Sequence, residues 1–345
     1  MSVVSPNRTK SALIALSQGL LTLCLTLFGL LLITFALSAI SPVDRVLQIV
    51  GDHASQSTYD QMRHQLGLDQ PLVIQFWHYL VNLAHGDLGI ASSTGQPVLH
   101  DLLSVFPATL ELATLALIVG ALLGVVAGVL CARYAGSPWD LAVRTFTLLG
   151  NSVPIFWLGL LMLALFYARL QWSVGPGRLD DIYQYTVEPR TGFALIDTAL
   201  SGDAGAFKNA LSHLVLPVLL LAYYALASIT RLTRSACLSE MNKEYILLAR
   251  AKGAGEMTIL LRHVLPNIRG TLLTVIALAW TSMLEGAVLT ETVFSWPGIG
   301  RYLTTALFAG DATAIMGGTL LIGVCFVLIN NLTDLLVRLT DPRIR

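Results

Sequence analysis

Charge is what this sequence has least of: Asp, Glu, Lys and Arg make up 12% of its 345 residues, while 55% are hydrophobic. Soluble domains carry about twice that charge, so water is excluded as the main solvent and lipid takes its place. Neither sign dominates. Lys and Arg number 21, as do Asp and Glu, which leaves no basic excess for a nucleic-acid groove. Cysteine is scarce too: Cys24, Cys131, Cys237 and Cys325 fall in or near apolar runs without metal-type spacing, so neither disulfides nor a zinc site are expected. Catalytic signatures are missing. There is no Gly-x-x-x-x-Gly-Lys-Ser/Thr phosphate loop, no His-Glu-x-x-His zinc helix and no Gly-x-Ser-x-Gly nucleophile turn. No enzyme is expected, and ATP-driven work would draw its energy from another chain. The absence of a repeat of about 20 to 50 residues argues against the duplicated layout of many secondary transporters.

Long apolar runs, by contrast, are plentiful. A helix needs about 20 residues to cross about 30 Å of hydrocarbon, and six runs qualify, near Ser11–Ile40, Ala108–Ala132, Leu141–Ala168, Leu211–Thr230, Gly270–Thr290 and Ala312–Leu336. The predicted fold class is all-α, a polytopic membrane protein with six transmembrane helices. Placing the N-terminus inside puts 14 of the 21 Lys and Arg residues on the inner side, Arg8, Lys10, Arg133, Arg144 and Arg338 among them, in keeping with the positive-inside tendency. Both termini are then cytoplasmic. The first run is about twice as long as a signal-peptide core and is read as a span. Three regions follow: residues 1–40 form the N-terminus and first span, 41–107 an outer loop, and 108–345 a five-span core with an outer loop at 171–210 and an inward loop at 231–269.

In the first outer loop a helix is predicted over Pro71–Ala84, with Pro at its start and Gly86 just past its end. Five of the seven histidines, His53, His64, His78, His85 and His100, lie in this loop. Their spacings match no compact site, so surface or interface positions are expected rather than metal ligation. The second outer loop is polar and holds Pro176, Gly177, Pro189 and Gly192. Outer loops of this size point to contact with something outside.

The inward loop carries the most information. Met241, Tyr245 and Leu248 recur at helical spacing, as do Met257, Leu260, Leu261 and Val264, which predicts two short amphipathic helices. Gly253-Ala-Gly255 separates them and Pro266 limits the second. Ala249, Ala251, Gly253, Ala254 and Gly255 form a small-residue surface at the elbow, flanked by Arg250 and Lys252. Such an elbow either docks another protein or lies on anionic lipid headgroups.

At these residues the sequence resembles the permease subunits of binding-protein-dependent ABC importers, in the dipeptide, oligopeptide and nickel branch. The loop motif of that family is Glu-Ala-Ala, three residues, Gly, nine residues, Ile, one residue, Leu-Pro. Ala249, Gly253, Leu265 and Pro266 match it in register, while Leu247, Leu248 and His263 replace the Glu, first Ala and Ile. Branch-like strings extend over the chain: Leu66–Pro71, Gly86–Gly89, Pro107–Ala113, Ala249–Ala254, Glu291–Gly300 and Asp341–Arg345. Ser41-Pro-Val-Asp44 departs from the branch's usual turn. The resemblance implies a type I ABC importer permease fold in a bacterial inner membrane, without a cofactor or metal. ATPase coupling would fall to Ala249, Arg250, Ala251, Lys252, Gly253, Ala254, Leu265 and Pro266. The implied partners are a second homologous permease, two ATP-binding subunits and an extracytoplasmic solute-binding protein. The implied substrate class is di- or oligopeptides, with nickel or a metal chelate as the alternative.

A carboxylate at mid-membrane costs about 2.5–3.5 kcal/mol on insertion scales, so it tends to face a bundle interior or an aqueous path. Glu285 is expected on such a face with Thr281, Ser282 and Thr292, and Asn151, just before Pro154, marks a kink in the third span. Asn151, Ser282, Glu285 and Thr292 are the candidate translocation path. Interhelical hydrogen bonding is the competing role for these residues, as for Asn330, Asn331 and Asp334. A self-sufficient transporter or channel using Glu285 or Asp334 stands as the functional alternative.

Overall fold

The structure, a computed structural model, describes residues 6–40, 44–51 and 53–340. Among the described residues fifteen α-helices follow one another: α1 (Pro6–Ile40), α2 (Arg45–Val50), α3 (Gln56–Gln65), α4 (Leu72–Ala84), α5 (Val98–Arg133), α6 (Pro138–Ser152), α7 (Ile155–Met162), α8 (Asp181–Thr186), α9 (Ala194–Leu200), α10 (Ala204–Met241), α11 (Glu244–Ala251), α12 (Glu256–Thr258), α13 (Leu265–Val293), α14 (Ile299–Ala309) and α15 (Ala312–Thr340). Wider π-helical turns occupy Leu163–Arg169 and Ile259–Val264. No strand occurs among the described residues. Residues 41–43 and the Asp341–Arg345 string lie outside them, as do the side chains of Asn151 and Asp334.

Two compact units emerge, one from residues 1–104 and 302–331, the other from 105–301 and 332–345. In the first, α4 forms where predicted, and Gly86 at φ +82° sits just past its end. Its Phe76 inserts between Phe28 and Phe35 of α1, with ring centroids 5.9 and 5.1 Å away. A second small core joins Ala91, Val98, Leu102, Ala306 and Ala314. Asp311 accepts the Ala314 amide at the head of α15 and both the amide and hydroxyl of Ser93, tying the loop before α5 to α15.

The second unit is organised around α10, whose apolar stretch is largely buried. Gly120, Gly124 and Gly128 of α5 face it so closely that a Cβ on Gly120 or Gly128 would stand 2.6 Å from Ala225 or Thr233. Small residues four apart let two membrane helices approach backbone to backbone.

Among the described residues five helices are long and apolar enough to span a membrane, and the pair Pro138–Gly150 and Ile155–Arg169, bent by 102°, makes a sixth span when its two pieces are counted as one. The kink expected at Pro154 is thus a break. Val153 and Pro154 are extended, at ψ 130° and 135°, because the residue before a proline avoids helical geometry. The Tyr224 hydroxyl donates to the Val153 carbonyl, a group that the broken helix exposes, and that of Tyr223 to the Phe146 carbonyl within α6 at 2.7 Å.

Two boundaries differ from the sequence reading. The 171–210 loop contains α8, α9 and the start of α10, and the 231–269 loop is helical almost throughout, since α10 runs on to Met241. A polar helix shows no apolar run, yet α10 extends past its span because Thr233, Cys237 and Glu240 are buried against neighbours.

Candidate functional site

The elbow between α10 and α13 is held by one side chain and one turn. Ile246 of α11 is fully buried with Ile259, Leu260, Val264 and Ile268 of the following helix and Cys237 of α10. Burial of one isoleucine stabilises by about 1.5–3 kcal/mol. The sequence phase is corrected here. Met241 closes α10, Tyr245 and Leu248 are exposed, and Ile246 with the half-buried Ala249 defines the inward face of α11. In the next segment Leu260 and Val264 are buried as predicted, whereas Met257 and Leu261 are exposed.

At the end of α11 the Ala254 amide donates to the Ala249 carbonyl (3.1 Å) and the Gly253 amide to the Arg250 carbonyl (2.9 Å). This 6→1 and 5→2 pair is the Schellman termination, which requires a left-handed residue at the position of Gly253; its φ is +83°. No atom lies within 4 Å of where a Gly253 Cβ would stand. Glycine is therefore demanded by backbone conformation rather than by space within the chain. Ala249 and Ala254 pack on the buried cluster from both ends of the turn. Arg250 and Glu256 bridge the elbow through two hydrogen bonds of 2.8 and 3.2 Å, which hold the guanidinium above its ordinary pKa. Ala251 and Lys252 are exposed.

Pro266 does not limit the second helix as predicted. It lies inside a helical run that continues from Glu256 to Val293, and the π turn at Ile259–Val264 just before it carries the chain on without a stop. Leu265 is half-buried against the cluster, and Pro266 is exposed. The assembled elbow thus turns Leu247 and Leu248 outward, each 57% exposed, on a helix whose end carries Arg250 and Lys252. Exposed leucines edged by basic groups make a surface suited to a protein partner.

Along α13, Leu278, Ser282, Glu285, Leu289 and Thr292 are all exposed. They follow one another at steps of four and three residues, so they form one stripe about 21 Å long. Three of the four path candidates therefore share a face. Thr281, expected with them, is buried on the other side, where its hydroxyl donates to the Ala277 carbonyl. The carboxylate of Glu285 makes this stripe costly against hydrocarbon, and in a bilayer it belongs against protein or water.

The Pro107–Ala113 and Glu291–Gly300 strings each hold a buried carboxylate, Glu111 and Glu291. Glu291 accepts the Thr109 hydroxyl (2.6 Å) and the Gly300 and Arg301 amides (2.7 and 3.2 Å). Trp296 and the Ile299 amide bond to Ala108 and Thr109 in turn, so Pro107–Ala113 and Glu291–Gly300 are two halves of one knot. A Cβ on Gly298 would stand 2.3 Å from Glu291 Oε1, which is why that turn needs glycine. Glu111 accepts from Arg178 at 2.6 Å and from the Ala194 and Leu195 amides. Arg178 also bonds the Gly192 carbonyl (2.7 Å) and lies over the Trp296 ring, 5.5 Å from its centroid. These contacts pin the 171–203 loop onto the Phe294–Arg301 turn around a cavity of about 500 Å³, with Asp181 and Arg301 exposed on its wall. No group of three or more His, Cys, Asp or Glu is placed to hold a metal among the described residues.

The family described as binding-protein-dependent transport system inner membrane component matches residues 124–345, and the N-terminal model of such membrane components matches residues 13–113. The di/tripeptide transport system permease protein DppB of Pseudomonas aeruginosa is 43% identical, covering 93% of this chain and 95% of its own. The probable D,D-dipeptide transport system permease protein DdpB of Escherichia coli K12 is 44% identical over 93% and 94%, and the dipeptide permease DppB of the same strain 40% over 93% and 95%. Among solved structures, an inward-facing MetNI methionine ABC transporter chain is 19% identical with a TM-score of 0.51, covering 68% of this chain and 93% of that one. The type I importer permease fold is shared.

Proposed function

Because the chain belongs to the binding-protein-dependent transport system inner membrane component family, we propose that it is the membrane-spanning permease subunit of an ATP-driven importer of small peptides, worked through α11 by separate ATPase subunits. The carrying observation is the elbow: a short helix with outward leucines, fixed by Ile246 on one side and the Gly253 turn on the other, in a chain without a phosphate loop. Ala249, Gly253 and Ala254 shape the elbow, Arg250 and Lys252 supply charge, and Leu265 and Pro266 join it to the fifth span. Force applied at α11 reaches α13 directly and α10 through the adjoining turn, since packed helices move as rigid bodies.

The remaining assignments belong to the same reading. Both termini and the elbow face the cytoplasm, with residues 41–107 and 171–210 outside. A homologous permease lies against the stripe of Ser282, Glu285 and Thr292, with the substrate path between the two, and Asn151 lies near the break in the third span. Two ATP-binding subunits dock inside, and a solute-binding protein meets the outer loops. Peptides are favoured as substrate by the relatives that cover 93% of the chain. Proteoliposomes holding the full complex test this: labelled dipeptide uptake should require ATP and the binding protein and persist when a protonophore collapses the proton gradient. Uptake that follows the proton gradient and ignores ATP would overturn the proposal in favour of a self-sufficient transporter.

A further inference from the structure

Three helix ends meet at one phenol. Glu240, buried on the last turn of α10, accepts the Tyr245 hydroxyl at 2.6 Å and the Lys243 ammonium at 2.6 Å. Tyr245 stands on the first turn of α11, and its oxygen accepts from Asn267 Nδ2 at 3.2 Å. Asn267 lies on the first turn of α13, and the same amide donates to the His263 carbonyl at 2.6 Å. One hydroxyl thus links the helix before the elbow, the elbow helix itself and the helix after it. Ile246 and the half-buried Ala249 anchor α11 by apolar burial, which is non-directional and constrains the rotation of an eight-residue helix about its own axis only through shape. Hydrogen bonds have preferred angles, and the Tyr245 contacts supply the missing rotational constraint from both flanking spans at once.

We propose that Tyr245 is a positioning residue that locks the coupling helix to both spans, so that displacement of α11 by an ATPase moves α10 and α13 together rather than rolling α11 in place. This rests on the coupling role proposed above for α11. Tyr245 lies two residues before the loop motif begins, so the motif's positions do not include it. The lock needs no titration or chemistry, only that the phenol oxygen both donates and accepts.

The test uses the full complex with binding protein and ATPases in proteoliposomes. Tyr245→Phe removes one oxygen and keeps the ring. ATPase subunits should co-purify as with the unaltered chain and ATP hydrolysis should continue, while peptide taken up per ATP falls at least about fivefold, the lower end of a typical coupling free energy. Asn267→Ala should lower the same ratio, and the double variant should fall short of the sum, as partners in one network do. A merely structural role would lower hydrolysis and uptake in proportion. That result, or an unchanged ratio in Tyr245→Phe, would overturn the lock. Should Tyr245→Phe fail to assemble, Asn267→Ala carries the same criterion. Leu248→Asp separates the two claims: if it leaves co-purification and uptake intact, the coupling role of α11 itself fails, whereas its loss of ATPase with an unchanged Tyr245→Phe ratio refutes the lock alone.

Discussion

Replacement of Gly253 separates two reasons for a glycine at the elbow. The site has φ +83° and open space around a would-be Cβ, so the cost of a side chain lies in the left-handed backbone, about 1–2 kcal/mol for an ordinary residue. Asparagine tolerates that conformation better because its side chain bonds locally. If the Schellman turn governs docking, ATPase affinity should fall in the order Gly253, Gly253→Asn, Gly253→Ala, Gly253→Val. A loss of 1–2 kcal/mol shifts the turn's equilibrium by about 5–30-fold, and apparent affinity falls by up to that factor as the competent population shrinks. If the partner's backbone instead needs a bare surface at this position, bulk decides and Ala should outperform Asn. Titrating purified ATPase subunits against each variant in nanodiscs, read by stimulated ATP hydrolysis, distinguishes the orders. Tighter binding of Gly253→Ala than Gly253→Asn would refute the backbone argument, and Gly253→Trp would not resolve it, since it is both strained and large.

Glu291→Leu should destabilise the chain by about 2–6 kcal/mol, because it strands two backbone amides at about 1–3 kcal/mol each; thermal unfolding in detergent measures this, with Glu291→Gln much milder. Arg234 bonds Asp140 through two contacts of 2.7 Å, and the Asp140 side chain is almost wholly buried. Arg234→Ala should therefore cost about 3–5 kcal/mol by leaving a buried carboxylate uncompensated, and Asp140→Asn with Arg234→Met together should recover part of it. Glu285→Gln should reduce uptake several-fold without loss of assembly or basal ATP hydrolysis, and unchanged transport would remove Glu285 from the path.

The spans were legible because hydrocarbon demands long apolar runs, and the elbow because Gly253 breaks a helical pattern. The phase of α11 was not, since eight residues with leucines at 247 and 248 fit several faces, and only packing against Ile259 and Val264 selects Ile246. Neither was the extension of α10 to Met241, where protein rather than lipid covers the helix. The glycines at 120, 124 and 128 carry a four-residue packing spacing that goes unread in the sequence. Glu111 and Glu291 were not legible, because their partners, Arg178 and Thr109, lie 67 and 182 residues away and carboxylates in apolar strings look alike whether they bind substrate or cap a turn. The break at Pro154 is legible only as a kink, because the Tyr224 hydroxyl that takes up the Val153 carbonyl there comes from a residue 71 positions away.

If the proposed coupling holds, α11 is where the ATPase pushes. A photo-crosslinking amino acid placed at Leu248 in the full complex tests it most directly. The probe should capture an ATP-binding subunit, in a yield that changes when ATP is trapped, while the same probe at Leu278 captures none. Crosslinks from Leu248 to lipid or to the permease alone, with ATPase subunits present and active, would contradict it.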